Sequence, residues 1–200
     1  MLSVHPNRDL SSLVGSRICH DLISPIGAIG NGIELLQMAP RDSAAELNLI
    51  TDSVGNAAAR IRFFRVAFGA AGDQMMGSAE VMSILSDLSA ASRFDCEWRL
   101  ETPQPRVLVR LAFLAFQCLE TAMPHGGTIS FESHDTTWRV TGCTQSLKYD
   151  ATLWASLTDY DIRPALSPAQ VQFGLLPVLA QEAGRVLSSA RDDTDLHIAF

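Results

Sequence analysis

The sequence predicts an α+β protein, in which an N-terminal helical hairpin is followed by an α/β sandwich with helices on one face of a mixed sheet. Two observations predict this class. Apolar residues recur at helical spacing over the first third of the chain, whereas helical and strand-like segments alternate over the rest. Hydrophobic residues make up 47% of the 200 residues, which is enough for a sizeable core.

Two runs of helical periodicity fill the first third of the chain. In the first run the apolar residues are Leu10, Val14, Ile18, Leu22, Ile26, Ile29, Ile33 and Leu36. In the second run the steps alternate between three and four, which is a heptad pattern: Leu47, Ile50, Val54, Ala57, Ile61, Phe64 and Phe68. The short link 39–43 contains Pro40 and ends at Ser43, a candidate N-cap, so the helices are predicted to be antiparallel.

A lone pair of helices cannot cover its own apolar faces. Two pairs from two chains can do so as a four-helix bundle, which predicts a homodimer built on residues 9–70. The alternative is that the C-terminal region of the same chain covers the hairpin. We divide the chain into a hairpin domain, residues 1–72, and a second domain, residues 73–200.

The second domain has a mixed pattern. It predicts helices at 79–91, 107–123 and 168–183, and strands at 96–101, 128–133, 137–144, 185–190 and 196–200. Ser167 followed by Pro168 is typical of a helix start.

Charge, cysteine spacing and hydropathy argue against several classes of function. The net charge of −7 argues against nucleic acid or an anionic membrane as the main partner. The cysteines are Cys19, Cys96, Cys118 and Cys143, and they fit no zinc spacing. We expect a cytoplasmic protein, because no secretory signal is visible and the most apolar stretch, 107–119, is too short to span a bilayer.

His20 lies on the polar side of the first helix. It is two residues from both Ile18 and Leu22, so at about 100° per residue it points away from the apolar stripe. The residues that share its face are small or polar: Ser16, Ser24, Gly27, Asn31 and Glu34. The position argues against a core histidine and leaves both a reactive group and an ordinary surface histidine open.

Pro25 and three glycines lower the intrinsic stability of the same helix. A proline inside a helix costs about 3 kcal/mol. Gly27, Gly30 and Gly32 each cost up to about 1 kcal/mol relative to alanine. A face with few side chains would let another protein's backbone approach closely. Alternatively, Ser24 and Pro25 begin a new helix and the glycines pack against a neighbouring helix.

The segment around His20 resembles the H-box of sensor histidine kinases. The matching residues are His20, Asp21, Leu22, Ser24, Pro25 and Ile26. The hairpin resembles the dimerisation and phosphotransfer domain of those kinases, and the second domain resembles their ATP-binding domain.

The second domain departs from the kinase pattern where nucleotide would bind. Kinases need an asparagine on one helix, but the corresponding segment 111–124 has none and carries Glu120 near that place. Their Asp-x-Gly-x-Gly turn is absent from 138–143, and the glycine-rich lid is reduced to Gly174. We therefore expect no ATP binding.

A phosphotransfer hairpin joined to an ATPase-like domain without a nucleotide site is similar to the ChpT-type histidine phosphotransferases, as is the stretch 14–32. The resemblance implies a homodimer that relays phosphoryl groups from the receiver domain of a hybrid kinase to the receivers of cell-cycle response regulators. It implies His20 as the phosphorylated residue and no permanently bound cofactor, with Mg²⁺ supplied by the receiver.

Other residues are assigned to the site by their position. Asp21 would orient the ring of His20, unless it is merely a solvated carboxylate, and Ser24 would contact the phosphoryl group. The predicted docking residues are Gly27, Ala28, Asn31 and Leu35 of the first helix and Asn56, Arg60 and Phe63 of the second. Phe63 is either an anchor for the partner or packs on the second domain.

Two other functions fit the same residues. One is an atypical sensor histidine kinase with an aberrant ATP site. The other is an adaptor that binds receivers without transferring phosphate.

Overall fold

The N-terminal hairpin is formed by helix α1, Pro6–Met38, and helix α2, Ala44–Ala67. The structure is a computed structural model that describes residues 6–38 and 43–200, so most of the predicted link lies outside the described residues. Pro25 lies inside α1 without ending it, so the continuous helix is confirmed and no new helix begins at Ser24. Ser43 precedes α2, but its side chain makes no capping hydrogen bond.

The glycines of α1 have different surroundings. A Cβ atom on Gly32 would lie 2.6 Å from Cγ1 of Ile50, so this glycine allows α1 and α2 to approach closely. A Cβ atom on Gly27 or Gly30 would meet nothing within 4 Å. One glycine therefore packs against the neighbouring helix, and the other two face open space.

The second domain combines four helices with a five-stranded sheet. Its helices are α3 (Ser78–Ala90), α4 (Arg106–Ala122), α5 (Ala151–Ala155) and α6 (Val171–Glu182), the last preceded by a 3-10 turn at Pro168–Gln170. Its strands are β1 (Met75–Met76), β2 (Phe94–Trp98), β3 (Gln104–Pro105), β4 (Gly127–His134), β5 (Thr137–Cys143), β6 (Ser188–Arg191) and β7 (Asp195–Ala199). The α+β class is confirmed.

The sheet has the strand order β2-β4-β5-β7-β6. The β2–β4 pair is parallel and the other pairs are antiparallel, so the sheet is mixed as predicted. The short strands β1 and β3 pair separately, and neither they nor α5 were predicted. The strand predicted at 185–190 begins only at Ser188, because the N–H of Arg185 donates to the carbonyl of Ala180 and Gly184 adopts φ +67°, which ends α6.

One hydrophobic core joins α2 to the second domain. Phe63 is buried, and its ring stacks on that of Phe113 in α4 with centroids 4.6 Å apart. The neighbouring Phe64, predicted to belong to the heptad pattern of the hairpin, is buried in the same core. The prediction of Phe63 as a docking anchor is therefore wrong, and its alternative, packing on the second domain, is confirmed.

The opposite face of the hairpin keeps its apolar side chains exposed. On α2 they recur every seven residues, at Leu47, Val54 and Ile61. On α1 they include Ile23, Ile26 and Ile33. The second domain of the same chain does not cover this face. None of the helices in the described part of the chain is long and apolar enough to cross a membrane.

Candidate functional site

His20 projects from α1 into solvent, with 78% of its side chain exposed. An open cavity of about 370 Å³ lies beside it between α1 and α2. The cavity is lined by His20, Asp21, Ser24, Pro25, Ala28, Asp52, Ser53, Asn56 and Arg60. The structure thus brings the three predicted catalytic residues together with two predicted docking residues of α2, Asn56 and Arg60.

Asp21 is held against the ring of His20. Its Oδ1 atom lies 3.1 Å from Nδ1 of His20, and only 10% of its side chain is exposed. An ionised carboxylate only accepts hydrogen bonds, so this contact favours the ring tautomer in which Nδ1 carries the proton and Nε2 keeps its lone pair. Asp21 is therefore not a freely solvated carboxylate, although its role in orienting the ring stays a prediction.

Two arginines face the other oxygen of Asp21. The Nε atom of Arg17 donates to Oδ2 over 2.6 Å, and a terminal nitrogen of Arg60 lies 3.7 Å from the same oxygen. Arg60 also donates through Nε to Oδ1 of Asn56 over 2.8 Å. The amide nitrogen of Asn56 in turn donates to the carbonyl oxygen of Ala91, over 3.4 Å, which links the cavity to the second domain.

Arg17 was not among the predicted site residues. Besides Asp21 it contacts two groups of the second domain: it donates to the carbonyl oxygen of Ala169 over 2.8 Å and to Oε2 of Glu120 over 3.4 Å. The i, i+4 spacing of Arg17 and Asp21 was a signal that could have identified the first contact. Nothing local in the sequence points to the other two.

Glu120 stands on α4 with a third of its side chain exposed. Burial raises the pKa of its carboxyl group above the ordinary value, and the negative charge of Asp21 acts in the same direction. The positive charges of Arg17 and Arg60 oppose the rise in this pKa without cancelling it. Four charged groups from both domains thus lie close together behind the ring of His20.

The predicted docking residues of α1 continue along the helix beyond His20. Gly27, Asn31 and Leu35 are exposed, and Ala28 is partly buried at the cavity wall. A second open cavity, of about 760 Å³, lies between α2, α3 and the start of β2, and shares Asp52, Asn56 and Arg60 with the first. Among the described residues, no group of three or more His, Cys, Asp or Glu side chains is arranged to hold a metal ion.

Comparison with known proteins agrees with this arrangement. The family model described as "Histidine phosphotransferase C-terminal domain" matches residues 78–195. The protein phosphotransferase ChpT of Brucella abortus (strain 2308) is 37% identical over 135 residues, which cover 64% of this chain and 63% of that protein. The aligned region thus spans less than two thirds of the Brucella protein.

A solved structure of a bacterial phosphotransferase superposes with a TM-score of 0.81 at 28% identity, covering 99% of this chain and 98% of that one. A histidine kinase, AdeS of Acinetobacter baumannii, superposes with a TM-score of 0.45 at 11% identity, covering 90% of this chain and 95% of that one. Because the family model accounts for more than half of its residues, the chain belongs to the histidine phosphotransferase family.

Proposed function

We propose that this protein is a histidine phosphotransferase of a multi-step phosphorelay, which accepts a phosphoryl group on His20 from one response-regulator receiver and passes it to another. The observation that carries the proposal is the pairing of His20 with Asp21. An exposed ring with Nδ1 on a carboxylate and Nε2 unprotonated is a nucleophile ready for an incoming phosphoryl group.

The transfer needs no group beyond the two proteins and the metal ion of the receiver. The lone pair of Nε2 of His20 attacks the phosphorus atom of an aspartyl phosphate, and the bond from phosphorus to the aspartate oxygen breaks. The receiver carboxylate leaves with that electron pair. The ring becomes a cationic phosphohistidine, and the charge of Asp21, 3.1 Å from Nδ1, favours it. Transfer to the next receiver reverses these steps.

The chain itself would contribute mainly by positioning the phosphoryl group and the receiver relative to His20. Ser24 and Arg60 line the cavity beside His20, where a hydroxyl and a guanidinium can bind phosphoryl oxygens. Receivers would dock along Gly27, Ala28, Asn31 and Leu35, and over Asn56. We propose that Mg²⁺ enters with the receiver and that the chain binds no ATP, because α4 carries no asparagine and 138–143 has no Asp-x-Gly-x-Gly turn.

The exposed apolar face of the hairpin supports a homodimer. Leu47, Val54 and Ile61 form a seven-residue repeat on α2, beside Ile26 and Ile33 of α1. A second copy of the same hairpin would cover this face as a four-helix bundle. Response-regulator receivers act in the cytoplasm, so we place the protein there.

The experiment that tests the proposal uses a receiver carrying labelled phosphate and the full chain. We expect label on the chain that is stable in alkali and lost in acid, and its passage to a second, unlabelled receiver. His20→Ala should take no label and keep the melting temperature, because the side chain is mostly exposed. His134→Ala is the matched control, since 80% of that side chain is exposed and it lies far along the sequence from the site.

Two further measurements distinguish the proposed function from the kinase and from the adaptor. Incubation with labelled Mg-ATP alone should leave the chain unlabelled, and phosphohistidine formed from ATP would make it a kinase. If the chain binds the labelled receiver but takes no label, it is a receiver-binding adaptor and the proposed function is wrong.

A further inference from the structure

Arg17 connects the phosphotransfer residues of α1 to the second domain. Each of its three nitrogens contacts a different acceptor: Nε meets Asp21 at 2.6 Å, one terminal nitrogen meets the carbonyl oxygen of Ala169 at 2.8 Å, and the other meets Glu120 at 3.4 Å. The residue is buried despite its charge. We call this set of contacts the Arg17 bridge.

The far end of the Arg17 bridge is fixed within the second domain. The carbonyl oxygen of Ala169 also accepts from Nε2 of Gln172, over 3.0 Å. Gln172 is fully buried, and its amide nitrogen lies 2.8 Å from Oγ1 of Thr121 on α4. The acceptors of Arg17 are therefore held by α4 and by the 3-10 turn that precedes α6, and a buried polar contact between Gln172 and Thr121 ties α6 to α4.

Close packing near the start of α1 holds the helix at the same surface. A Cβ atom on Gly174 of α6 would lie 2.7 Å from Cδ2 of Leu10 and 2.8 Å from Cδ1 of Leu166. The absence of a side chain at Gly174 thus lets α1 lie directly against α6. The contact of α1 with the second domain is both apolar, at Leu10, and ionic, at Arg17.

We propose that Arg17 is a positioning residue for phosphotransfer and that the second domain, through Glu120 and the carbonyl of Ala169, holds Asp21 against His20. The inference rests on the proposed function and gives the second domain a part in it. Oδ2 of Asp21 contacts Arg17 while Oδ1 faces His20, so a fixed Oδ2 sets the direction of Oδ1. Arg17 supplies that second contact, and its own direction is set by the second domain.

The chemistry of arginine suits this role. A planar guanidinium has donors at fixed angles and can bond three acceptors that lie in different directions. A lysine keeps the charge, but its single nitrogen cannot occupy the three positions from which the guanidinium nitrogens contact Asp21, Glu120 and Ala169. Misplacement of a reacting group by about 1 Å can cost about a hundredfold in rate, so a small rotation of Asp21 is enough to affect transfer.

The test uses Arg17→Lys and Glu120→Gln in the full chain. The matched controls are Arg99→Lys and Glu132→Gln, because Arg99 also joins two carboxylates, Glu97 at 2.6 Å and Glu132 at 3.4 Å. Two quantities are measured for each protein. One is the rate of phosphoryl acceptance as a function of receiver concentration. The other is the nitrogen NMR spectrum of the His20 ring, which reports which nitrogen carries the proton.

We expect Arg17→Lys to lower the maximal rate by about tenfold or more and Glu120→Gln by about threefold. The receiver concentration at half-maximal rate should stay within about twofold of wild type, because neither residue belongs to the docking face. The proton of the His20 ring should shift from Nδ1 towards a mixture of both nitrogens. The two controls should leave both measurements unchanged.

The outcomes that overturn the inference are distinct from failure of the proposed function. Wild-type rates and an unchanged His20 spectrum in Arg17→Lys would show that the Arg17 bridge serves stability alone. If Arg17→Lys does not fold, Glu120→Gln, which has the same shape as the native residue, decides by the same criteria. If the wild-type chain accepts no phosphoryl group, the proposed function fails, while the NMR comparison still tests whether the Arg17 bridge sets the His20 ring.

Discussion

The Oδ1 atom of Asp21 lies 3.1 Å from Nδ1 of His20, while the ring itself stays largely in solvent. The carboxylate is thus shielded and the imidazole ring is open to solvent. A buried carboxylate loses hydration and needs partners, and Asp21 has Arg17 at 2.6 Å. The guanidinium of Arg17 thus pairs with the oxygen of Asp21 that does not face the ring.

The first prediction concerns the charge of Asp21. Asp21→Asn keeps the shape of the side chain but removes the negative charge that favours the cationic phosphohistidine. We expect phosphoryl acceptance to fall by about a hundredfold, measured with a labelled receiver. Asp87→Asn, which alters the exposed Asp87–Arg62 ion pair, is the control and should transfer at the wild-type rate. Equal rates in the two variants would mean that Asp21 has no part in the chemistry.

The second prediction follows from the burial of Phe63. Its ring packs between those of Phe113 and Phe116, with centroid distances of 4.6 Å and 5.5 Å. Phe63→Ala should lower the free energy of unfolding by about 3–5 kcal/mol, measured by denaturant titration. The variant that remains folded should need the same receiver concentration for half-maximal rate. A stable variant that binds receivers more weakly would instead show that Phe63 contributes to receiver docking.

The sequence was sufficient for features that depend on local pattern. Periodicity predicted α1 and α2, and the residues around His20 predicted where the site lies on α1. The environment of Phe63 could not be predicted from local pattern. It falls outside the heptad positions, so the pattern alone could not distinguish an exposed anchor from a residue that packs on another domain. Only its stacking on Phe113, 50 positions away, decides between them.

The contacts behind His20 could not be predicted for the same reason. Arg17 and Glu120 are separated by 103 positions, and Arg17 and Ala169 by 152. No periodicity connects residues at such distances. Glu120 stood out in the sequence only because an asparagine was expected near it. Short elements were missed as well: β1 and β3 have two residues each, which is too few for an alternating pattern.

The third prediction concerns the exposed apolar face of the hairpin. Light scattering at tens of micromolar, a concentration chosen from the affinity scale, should show a dimer for the wild-type chain. Val54→Asp should shift it to a monomer, because burying an unpaired carboxylate at the centre of this face is strongly unfavourable. Val186→Asp is the control, since Val186 is exposed outside the hairpin. A wild-type monomer under these conditions would contradict the four-helix bundle.

The fourth prediction uses the pKa of Glu120, which burial raises above its ordinary value while the charge of Arg17 opposes the rise. A carboxyl group with a raised pKa in the folded state favours folding when protonated, and this contribution is lost as pH rises through the folded-state pKa. Glu120→Gln resembles the protonated form at every pH.

The stability difference between Glu120→Gln and wild type should therefore grow in favour of the variant as pH rises above about 4.5, the ordinary value for glutamate, and then level off. Thermal unfolding from about pH 4, near the ordinary pKa of glutamate, to about pH 8 measures it. Glu132→Gln provides the comparison, because it removes a carboxylate ion-paired to Arg99 elsewhere on the second domain. A difference that shrinks with rising pH would show that the ion pair with Arg17 outweighs burial.

The last prediction concerns Gly27, which lies two turns beyond His20 on the same side of α1. A Cβ atom there would meet nothing within 4 Å, so a larger side chain fits in the free protein. Replacing an exposed helical glycine should raise the free energy of unfolding by up to about 1 kcal/mol. If a receiver lies close to this surface, Gly27→Leu should nevertheless cut phosphotransfer strongly, since about 1 Å of displacement can cost about a hundredfold.

Gly15→Leu is the matched control for this variant. Gly15 is also an exposed glycine of α1 where an added Cβ atom would meet nothing within 4 Å, but five residues at about 100° each turn it about 140° away from His20. It should gain the same stability and keep the wild-type transfer rate. Gly27→Leu is thus predicted to gain stability and lose transfer rate, whereas Gly15→Leu is predicted to gain stability alone. A Gly27→Leu protein that melts earlier and transfers normally would show that Gly27 serves packing and that receivers dock elsewhere.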